Sequence, residues 1–323
     1  MLKFKTYKQF ILEQEDSNDG DDLFKVYLIT GLNPESDDQF TYKGFATDNF
    51  FTDLNEDTNN INQSYPILNY NNALTLLLID EGKINPDNVY NLPQHTKDSS
   101  SKEKFHKLIG EDENIPNTVY TQAAAYNLNF PVIGKPSKGH SGTGIKVFKN
   151  VDELKESDPS KFNVYSEYKN KLEEHRFVLF NGEPILWMER KPLNERAKTG
   201  TGDASQQMEF QYIKRNVGKI PEEYSKVLDK YGKKMDNIPF ICFDMMKDNA
   251  DRVYVIESNT QPGLPFDSTV KAYKSIFEDY YGRPINDDTI EILNKCSEQL
   301  NKETLNQEGN RFIDESKTET HEV

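Results

Sequence analysis

Cysteine is scarce in this chain, and long apolar runs are missing. Only Cys242 and Cys296 occur, which is too few for a disulfide framework and favours a reducing, intracellular compartment. No apolar stretch approaches the ~18 residues that a membrane-spanning helix needs. The first ten residues, MLKFKTYKQF, also have no apolar signal-peptide core. The sequence therefore predicts a cytoplasmic protein without a membrane partner.

Basic residues are also in short supply. Lysine and arginine number 39 against 54 aspartates and glutamates, so the net charge is −15. This charge argues against general binding to nucleic acid or anionic membrane, because repulsion removes the free energy of counterion release. An anionic ligand must instead be held by local basic side chains and backbone N–H groups. The 323 residues suffice for two or three packed units.

Composition and periodicity divide the chain into zones. A strand is expected at Leu23–Thr30, a helix around residues 71–81, and a linker leading into a helix at residues 95–104. A further helix is expected near residues 288–300, before a charged tail with the composition of a disordered segment. The zones are an amphipathic peptide with an acidic linker (1–13 and 14–22), a small α/β unit (23–98), the motif-rich region (99–284) and the C-terminal remainder (285–323).

A glycine-rich loop joins two predicted strands in GKPSKGHSGTGIKVF, residues 134–148. Small residues let a backbone approach a ligand closely, and successive N–H groups can cradle phosphate oxygens. The loop leads into a strand instead of a helix, so it is not a P-loop. Taken alone, such a loop is more often a flexible turn than a phosphate site. Its glycines and lysines are Gly139, Gly142, Gly144, Lys135 and Lys138.

A pair of charged strands follows in VYSEYKNKLEEHRFVLFNGEPILWMER, residues 164–190. The Asn181-Gly182 dipeptide predicts a tight hairpin between the strands. Glu173, Glu174 and Arg176 lie at the start of the first long strand. On this motif alone, a surface ion pair worth ~0–1 kcal/mol is the favoured interpretation.

A second hairpin, PFICFDMMKDNADRVYVIESNTQPG, places acidic residues inside apolar strands. If its turn centres on residues 250–251, Asp244 lies opposite Glu257; a longer turn makes them diagonal neighbours. Two carboxylates this close repel unless a cation or proton lies between them. Together with Asn259 they offer the hard oxygen ligands that Mg²⁺ prefers. The alternative is a polar, exposed hairpin end, which Asp244 in the middle of its strand disfavours.

These motifs, in this order, resemble the ATP-grasp superfamily. The resemblance covers residues 99–284 and rests on KFHKLIGEDENIPNTVY, FPVIGKPSKGHSGTGIKVF, VYSEY, EEHRFVLFNGEPI and FICFDMM…VYVIESNTQPGL. It implies an α+β fold, with an α/β pre-domain and two subdomains whose antiparallel sheets clasp ATP. It also implies ATP and one or two Mg²⁺ ions as cofactors, with Mn²⁺ as an alternative ion.

The resemblance implies a role for each matching residue. Lys104 or Lys102, with Lys135, would contact the ATP phosphates, and Asp244, Glu257 and Asn259 would hold the metal. The loop over the phosphates would comprise residues 137–144, with Ser137, Lys138, Gly139, Ser141, Gly142 and Gly144. Glu167 would accept a hydrogen bond from the adenine amino group, and Tyr168 and Lys169 would line the adenine slot. Glu174 would hold the ribose hydroxyls. Arg176 and Arg190 would face phosphate or the reacting carboxylate.

The implied reaction joins a carboxylate to an amine through an acyl phosphate, on an amino acid, a peptide or a protein. A small-molecule kinase of the same fold is an alternative. D-Ala–D-Ala ligases usually have Arg two residues before the first metal carboxylate, where this chain has Cys242, which disfavours a cell-wall dipeptide ligase. The segment 215–218 is similar to one in ribosomal-protein glutamate ligases and glutathione synthetases.

The N-terminal residues also resemble the capsid-targeting peptides of T4-like phage head proteins. Such peptides are short, basic and aromatic, and a protease cuts after a Glu that has an aliphatic residue two positions before it; Ile11-Leu12-Glu13 fits. This implies a phage protein in the host cytoplasm or the phage head, and opens a third function, a packaged protein that binds ATP without catalysis. A plain amphipathic helix is the alternative interpretation.

Overall fold

A computed structural model describes residues 26–30, 51–53, 67–70, 72–99, 101–110, 112–136, 144–192, 210–235, 238–260 and 312–314. The chain divides into two compact units, Met1–Gln94 with Gly263–Gly309, and His95–Pro262 with Asn310–Val323. Several predictions lie outside the described residues. They are the N-terminal peptide and linker (1–22), the helix near 288–300, and the loop residues Ser137, Lys138, Gly139, Ser141 and Gly142.

The first unit contains a parallel sheet in the order β2-β1-β3-β4. Its predicted helix is confirmed as α1, and the described part of the strand expected at 23–30 is Val26–Thr30. Apolar residues of β3, α1 and β4 form its core, with Ile67, Leu78 and Val89 almost fully buried. The elements are β1 (Val26–Thr30), β2 (Phe51–Asp53), β3 (Ile67–Tyr70), α1 (Asn72–Asp80) and β4 (Val89–Tyr90).

The segment predicted as a linker is helical. Its described residues form α2 (Pro93–Ser99) and the start of α3 (Lys102–Ile109), so the helix expected after the linker is confirmed, whereas the linker itself was wrong. Its run of Ser, Thr and Lys has the composition of a loop. However, the Ser99 hydroxyl donates to the Thr96 carbonyl oxygen at 3.0 Å, within the helical turn. Polar side chains that bond back to their own backbone can thus occupy a helix end.

The second unit begins with a small antiparallel sheet in the order β5-β8-β6-β7. It packs with two short helices around a core that includes Val132, Phe148 and Tyr165. Gly134 is required beside this core, because a Cβ there would lie 2.9 Å from the Phe148 ring. The elements are β5 (Thr118–Val119), α4 (Gln122–Ala125), β6 (Val132–Lys135), β7 (Lys146–Phe148), α5 (Val151–Lys155) and β8 (Val164–Glu167).

A six-stranded sheet, in the order β13-β12-β9-β10-β11-β14, completes this unit. The Asn181-Gly182 hairpin is confirmed, and both residues have the positive φ that its tight turn requires. The tail was expected to be disordered, but residues 312–314 form β14, which pairs in parallel with β11. The elements are β9 (Lys171–Phe180), β10 (Glu183–Pro192), β11 (Phe210–Arg215), α6 (Glu222–Lys234), β12 (Phe240–Asp248), β13 (Val253–Asn259) and β14 (Phe312–Asp314).

The two faces of the six-stranded sheet differ in character. One face packs against α3 and α6 through aromatic residues such as Phe105, Phe177 and Tyr224. Because side chains alternate along a strand, the residues between them point to the opposite face. That opposite face carries the charged residues described below. In the part of the chain that the structure describes, no helix is long and apolar enough to cross a membrane.

Candidate active site

The acidic hairpin forms with the register that places its two carboxylates opposite each other. Asp244 of β12 pairs with Glu257 of β13, and Cys242 pairs with Asn259. Lys247 pairs with Val253, so the turn is one residue shorter than a turn centred between residues 250 and 251. A shift of register beside Asp244, where Ile256 is the extra residue, restores the pairing. Asp244, Glu257 and Asn259 therefore lie together on the face away from the core.

Basic side chains offset the repulsion between these carboxylates. Arg176 of β9 lies opposite Asp244 and donates two hydrogen bonds to it, at 2.7 and 2.8 Å. The Lys102 ammonium of α3 lies 3.1 Å from Glu257. A bidentate guanidinium–carboxylate ion pair is among the stronger polar contacts in proteins. Each carboxylate thus has its own cation in this structure.

The ionic arrangement continues along β9. Glu174 is buried and accepts from Arg190 at 2.7 Å and from Lys171. Burial by itself raises the pKa of Glu174, but Arg190 and Lys171 outweigh it and lower the pKa to about 2. The interpretation of Glu174 as part of a surface ion pair was therefore wrong. Glu174, Asp244 and Glu257 thus each have a basic partner on this face.

The carboxylate face has a donor set suited to Mg²⁺. In the described ranges, no cluster of three or more His, Cys, Asp or Glu side chains could hold a metal ion. The candidate site instead combines two carboxylates, Asp244 and Glu257, with the Asn259 amide. Mg²⁺ typically takes one or two carboxylates and completes its shell with water and phosphate oxygens. The residues fit that ion if Arg176 and Lys102 give up their present partners.

Lys135 ends β6 just before the glycine-rich loop. It is only 8% exposed. Burial lowers the pKa of Lys135, the charge of Glu257 raises it, and the charge of Lys102 lowers it, with a net decrease. The two lysines and Glu257 are thus electrostatically coupled. Of the loop glycines, Gly144 is described, and its φ of 75° is one that side chains rarely adopt.

The residues expected around adenine occupy the end of β8. Glu167 accepts hydrogen bonds from the backbone and side-chain nitrogens of Asn129, at 3.2 and 2.7 Å, and from Lys169 at 2.8 Å. The Lys169 ammonium also lies 5.7 Å from the centre of the Tyr254 ring. The Tyr168 backbone N–H donates to the Pro131 carbonyl oxygen at 2.8 Å. The bonds from Asn129 and Lys169 fix the Glu167 carboxylate against the chain segments before β6 and after β8.

Comparison with known proteins identifies the fold. No protein-family model matches the chain, and no curated protein is similar in sequence. Among solved structures, D-alanine–D-alanine ligase from Bacillus anthracis matches with a TM-score of 0.56 and 18% identity, over 87% of this chain and 99% of that one. The complex of that ligase with ATP matches with a TM-score of 0.55 and 17% identity, over the same shares of the two chains. N5-carboxyaminoimidazole ribonucleotide synthetase from Thermotoga maritima gives 0.53 and 13%, over 82% of this chain and 77% of that one.

The chain has the ATP-grasp fold. The expected α+β class is confirmed, with a parallel sheet in the first unit and two largely antiparallel sheets in the second. Within this ATP-grasp frame, the structure separates the two candidates for the first lysine. Lys102 lies at Glu257, whereas Lys104 is exposed on another face of α3. Lys102 is therefore the better candidate.

Three residues near the candidate site residues were not expected from the sequence. Lys171 and Asn129 bond Glu174 and Glu167, and both look like ordinary surface residues in the sequence. His106 was not assigned a role, although it follows Lys102 by four residues on α3. That spacing puts two residues on one helix face, and it was the only available signal.

A second histidine, His175, is part of the core on the opposite face. Trp187 donates to its Nδ1 at 3.0 Å, and its Nε2 lies 3.2 Å from Glu173, which also accepts from Tyr224 at 3.3 Å. Burial lowers the pKa of His175, despite the opposing effect of Glu173. This network connects β9, β10 and α6.

Acidification is expected to destabilise the protein between about pH 6.5 and pH 5. Burial, followed by the charges of Lys135 and Lys102, lowers the pKa of His106 from 6.5 to about 3. Below pH 6.5 the unfolded chain takes up a proton that the folded chain does not, so the free energy of unfolding falls. The loss from pH 7 to pH 5 should be about 2 kcal/mol for His106, and His175 adds in the same direction.

Urea unfolding at a series of pH values measures this loss. Glu174, whose pKa is lowered from 4.5 to about 2, stabilises the fold at higher pH and loses that effect only below about 4.5. Between pH 6.5 and about 4.5 the histidine effect is therefore measured without a contribution from Glu174, and it continues below that range to the folded-state pKa of His106, about 3. The His106→Gln variant should show a shallower dependence, and a flat stability between pH 7 and 5 in the wild type would contradict the assignment.

Proposed function

We propose that the protein is an ATP- and Mg²⁺-dependent carboxylate–amine ligase that forms ADP. The observation that carries this proposal is the in-register pair Asp244 and Glu257, with the Lys102 ammonium 3.1 Å from Glu257 and the buried Lys135 subject to the charge of Glu257. Two carboxylates for a divalent ion, next to two ammonium groups for phosphates, suit a magnesium–nucleotide complex. The fold supports the proposal, and the solved ligases above are what the chain is similar to.

Each side chain has a role in this proposal. Asp244, Glu257 and Asn259 hold Mg²⁺, which when bound neutralises charge on the phosphates. Lys102 and Lys135 bind phosphate oxygens, and the loop of residues 137–144 covers them. On the adenosine side, Glu167 accepts from the adenine amino group, and Tyr168 and Lys169 line the slot. A carboxylate has about four acceptor sites, so Glu174 can accept ribose hydroxyls while it keeps Arg190 and Lys171.

The chemistry requires positioning more than covalent participation by the protein. An oxygen of the substrate carboxylate takes the γ-phosphoryl group from ATP, which gives an acyl phosphate and ADP. The amine then attacks the acyl carbon, and phosphate leaves as the C–N bond forms and the amine loses a proton. Arg176 and Arg190 face the side where negative charge develops. Their guanidinium groups stabilise the transferring phosphoryl group or the reacting carboxylate.

The substrate is proposed to be an amino acid, a peptide or a protein. Cys242 stands two residues before Asp244, where D-Ala–D-Ala ligases usually have an arginine. In this structure Arg176 supplies a guanidinium to Asp244 from the neighbouring strand. The arrangement around the metal carboxylate therefore differs from the usual dipeptide-ligase pattern. A carboxylate other than D-alanine is the preferred substrate class.

Incubation of the protein with ATP, Mg²⁺ and cell extract tests the function. Mass spectrometry should find a new amide adduct, and ADP release should depend on both Mg²⁺ and an extract component. Hydroxylamine separates a ligase from a kinase of the same fold, because only an acyl phosphate yields a hydroxamate. ADP release that stays at background with extract, amino acids and peptides would overturn the proposal, and turnover without a hydroxamate would favour the kinase.

A further inference from the structure

His106 is a buried side chain whose two ring nitrogens have no hydrogen-bond partner among the described residues. It lies on α3 and is 3% exposed. Nearly all buried polar side chains in proteins have a partner, so an exception calls for an explanation. A purely space-filling role does not explain the two ring nitrogens. An apolar aromatic ring would fill space without unpartnered polar atoms, as the adjacent Phe105 ring does 5.6 Å away.

The surroundings of His106 indicate what kind of partner it could take. Lys102 precedes it by one helical turn, on the same face, and bonds Glu257 at 3.1 Å. Lys135 lies at the end of β6, and the charges of both ammonium groups lower the pKa of the His106 imidazole after burial, which is the largest cause. Burial and these two charges keep the ring neutral, so it has one N–H to donate. Lys102, His106 and Lys135 thus form a group of donors, which we call the donor cluster.

The donor cluster favours an anionic acceptor over a metal ion. Two ammonium groups repel a cation that would otherwise bind the free imidazole nitrogen, whereas they attract an anion. Glu257 already has Lys102 as its partner and belongs to the proposed metal site. A phosphate group can accept several hydrogen bonds at once, from ammonium and imidazole donors together.

We propose that His106 is a phosphate-binding residue, which donates its ring N–H to a phosphate oxygen of the bound nucleotide alongside Lys102 and Lys135. This inference rests on the proposed function, since it needs a nucleotide in the site. It adds a third side-chain donor, from α3, to the two lysines. It also explains why a polar ring is buried without a partner in the absence of nucleotide.

Paired substitutions at His106 test the proposal. His106→Phe keeps the ring but removes the donor, whereas His106→Gln keeps an N–H. Titration calorimetry with Mg-ADP near neutral pH should show roughly 10- to 100-fold weaker binding for His106→Phe. The loss for His106→Gln should be only a few-fold. His95→Phe is the matched control, because His95 also has a buried Nδ1 without a hydrogen-bond partner and lies outside the donor cluster; its affinity should equal that of the wild type.

A structural role for His106 gives a different result. Replacement of an unpartnered imidazole by Phe would then raise the thermal stability of the nucleotide-free protein and leave Mg-ADP affinity unchanged. That outcome overturns the inference and leaves the proposed function intact. Failure of the wild type itself to bind Mg-ADP overturns both.

A spectroscopic measurement keeps the test valid if His106→Phe does not fold. Nitrogen-15 spectra of histidine-labelled wild-type protein contain five histidines, and the His106 signal is the one lost in His106→Gln. Mg-ADP should shift the signal of the protonated ring nitrogen. A His106 signal that stays unchanged at saturating Mg-ADP would overturn the proposal.

Discussion

Asp244→Asn and Glu257→Gln should each lower Mg²⁺-dependent ATP turnover by about a thousandfold or more, which is loss of activity in most assays. Each change removes one of the two carboxylates available to the ion, while it keeps the size and polarity of the side chain. ADP release, measured at increasing Mg²⁺, should not recover. The same variants should bind Mg-ADP more weakly than the wild type does.

Glu183→Gln is a suitable control for these variants. Glu183 is exposed and lies beside the Asn181-Gly182 turn. Its substitution by Gln removes the same charge from the chain as the site variants do. It should retain wild-type turnover. Thermal unfolding of Asp244→Asn should accompany the assay, because the change also leaves Arg176 without its carboxylate. Near-normal turnover in either site variant would show that the carboxylate pair is not the metal site.

Phe177→Ala is expected to cost about 3–5 kcal/mol of unfolding free energy, because it deletes a fully buried ring from the main core. The ring is stacked on Trp187 at 6.0 Å and packs against Tyr224 at 5.5 Å. The cavity would lie between the sheet and α6, where no small movement fills it. Urea denaturation should show a lower midpoint with little change in slope.

Leu172→Ala makes a matched comparison on the same strand. Leu172 is more than half exposed, so its truncation should change the stability by less than about 0.5 kcal/mol. Similar losses in the two variants would mean that the aromatic cluster is not the principal core of this unit. A folded Phe177→Ala protein should also retain nucleotide binding, since Phe177 lies on the face away from Asp244.

Local patterns explain why much of the candidate site could be predicted. Strand periodicity and the turn between residues 247 and 252 predicted that Asp244 lies opposite Glu257 or diagonal to it, and Asn-Gly predicted the β9–β10 turn. These features depend on neighbours in sequence. The bulge at Ile256 shows the limit of such reasoning, because it compensates for a turn one residue shorter than the one assumed.

The partners of the charged residues could not be predicted in the same way. Arg176 and Asp244 are 68 positions apart, and their bond depends on the adjacency of β9 and β12. Lys102 and Glu257 are 155 positions apart, and their ion pair depends on the packing of α3 beside β13. The strand at 312–314 pairs with β11 across 100 positions, from Tyr212 to Phe312. Tertiary adjacency decides these contacts, and single-residue propensities carry little information on it.

Arg176 and Lys102 compete with a metal ion for Asp244 and Glu257 in the proposed metal site. A free divalent ion would have to displace Arg176 and Lys102 and leave two positive side chains without partners. A magnesium–nucleotide complex brings its own anionic oxygens, so the displaced arginine and lysine gain new acceptors as the carboxylates gain the ion. On the proposed function, this exchange of partners favours simultaneous arrival of metal and phosphate, and it discriminates against abundant free metal ions without any change in the ligands themselves.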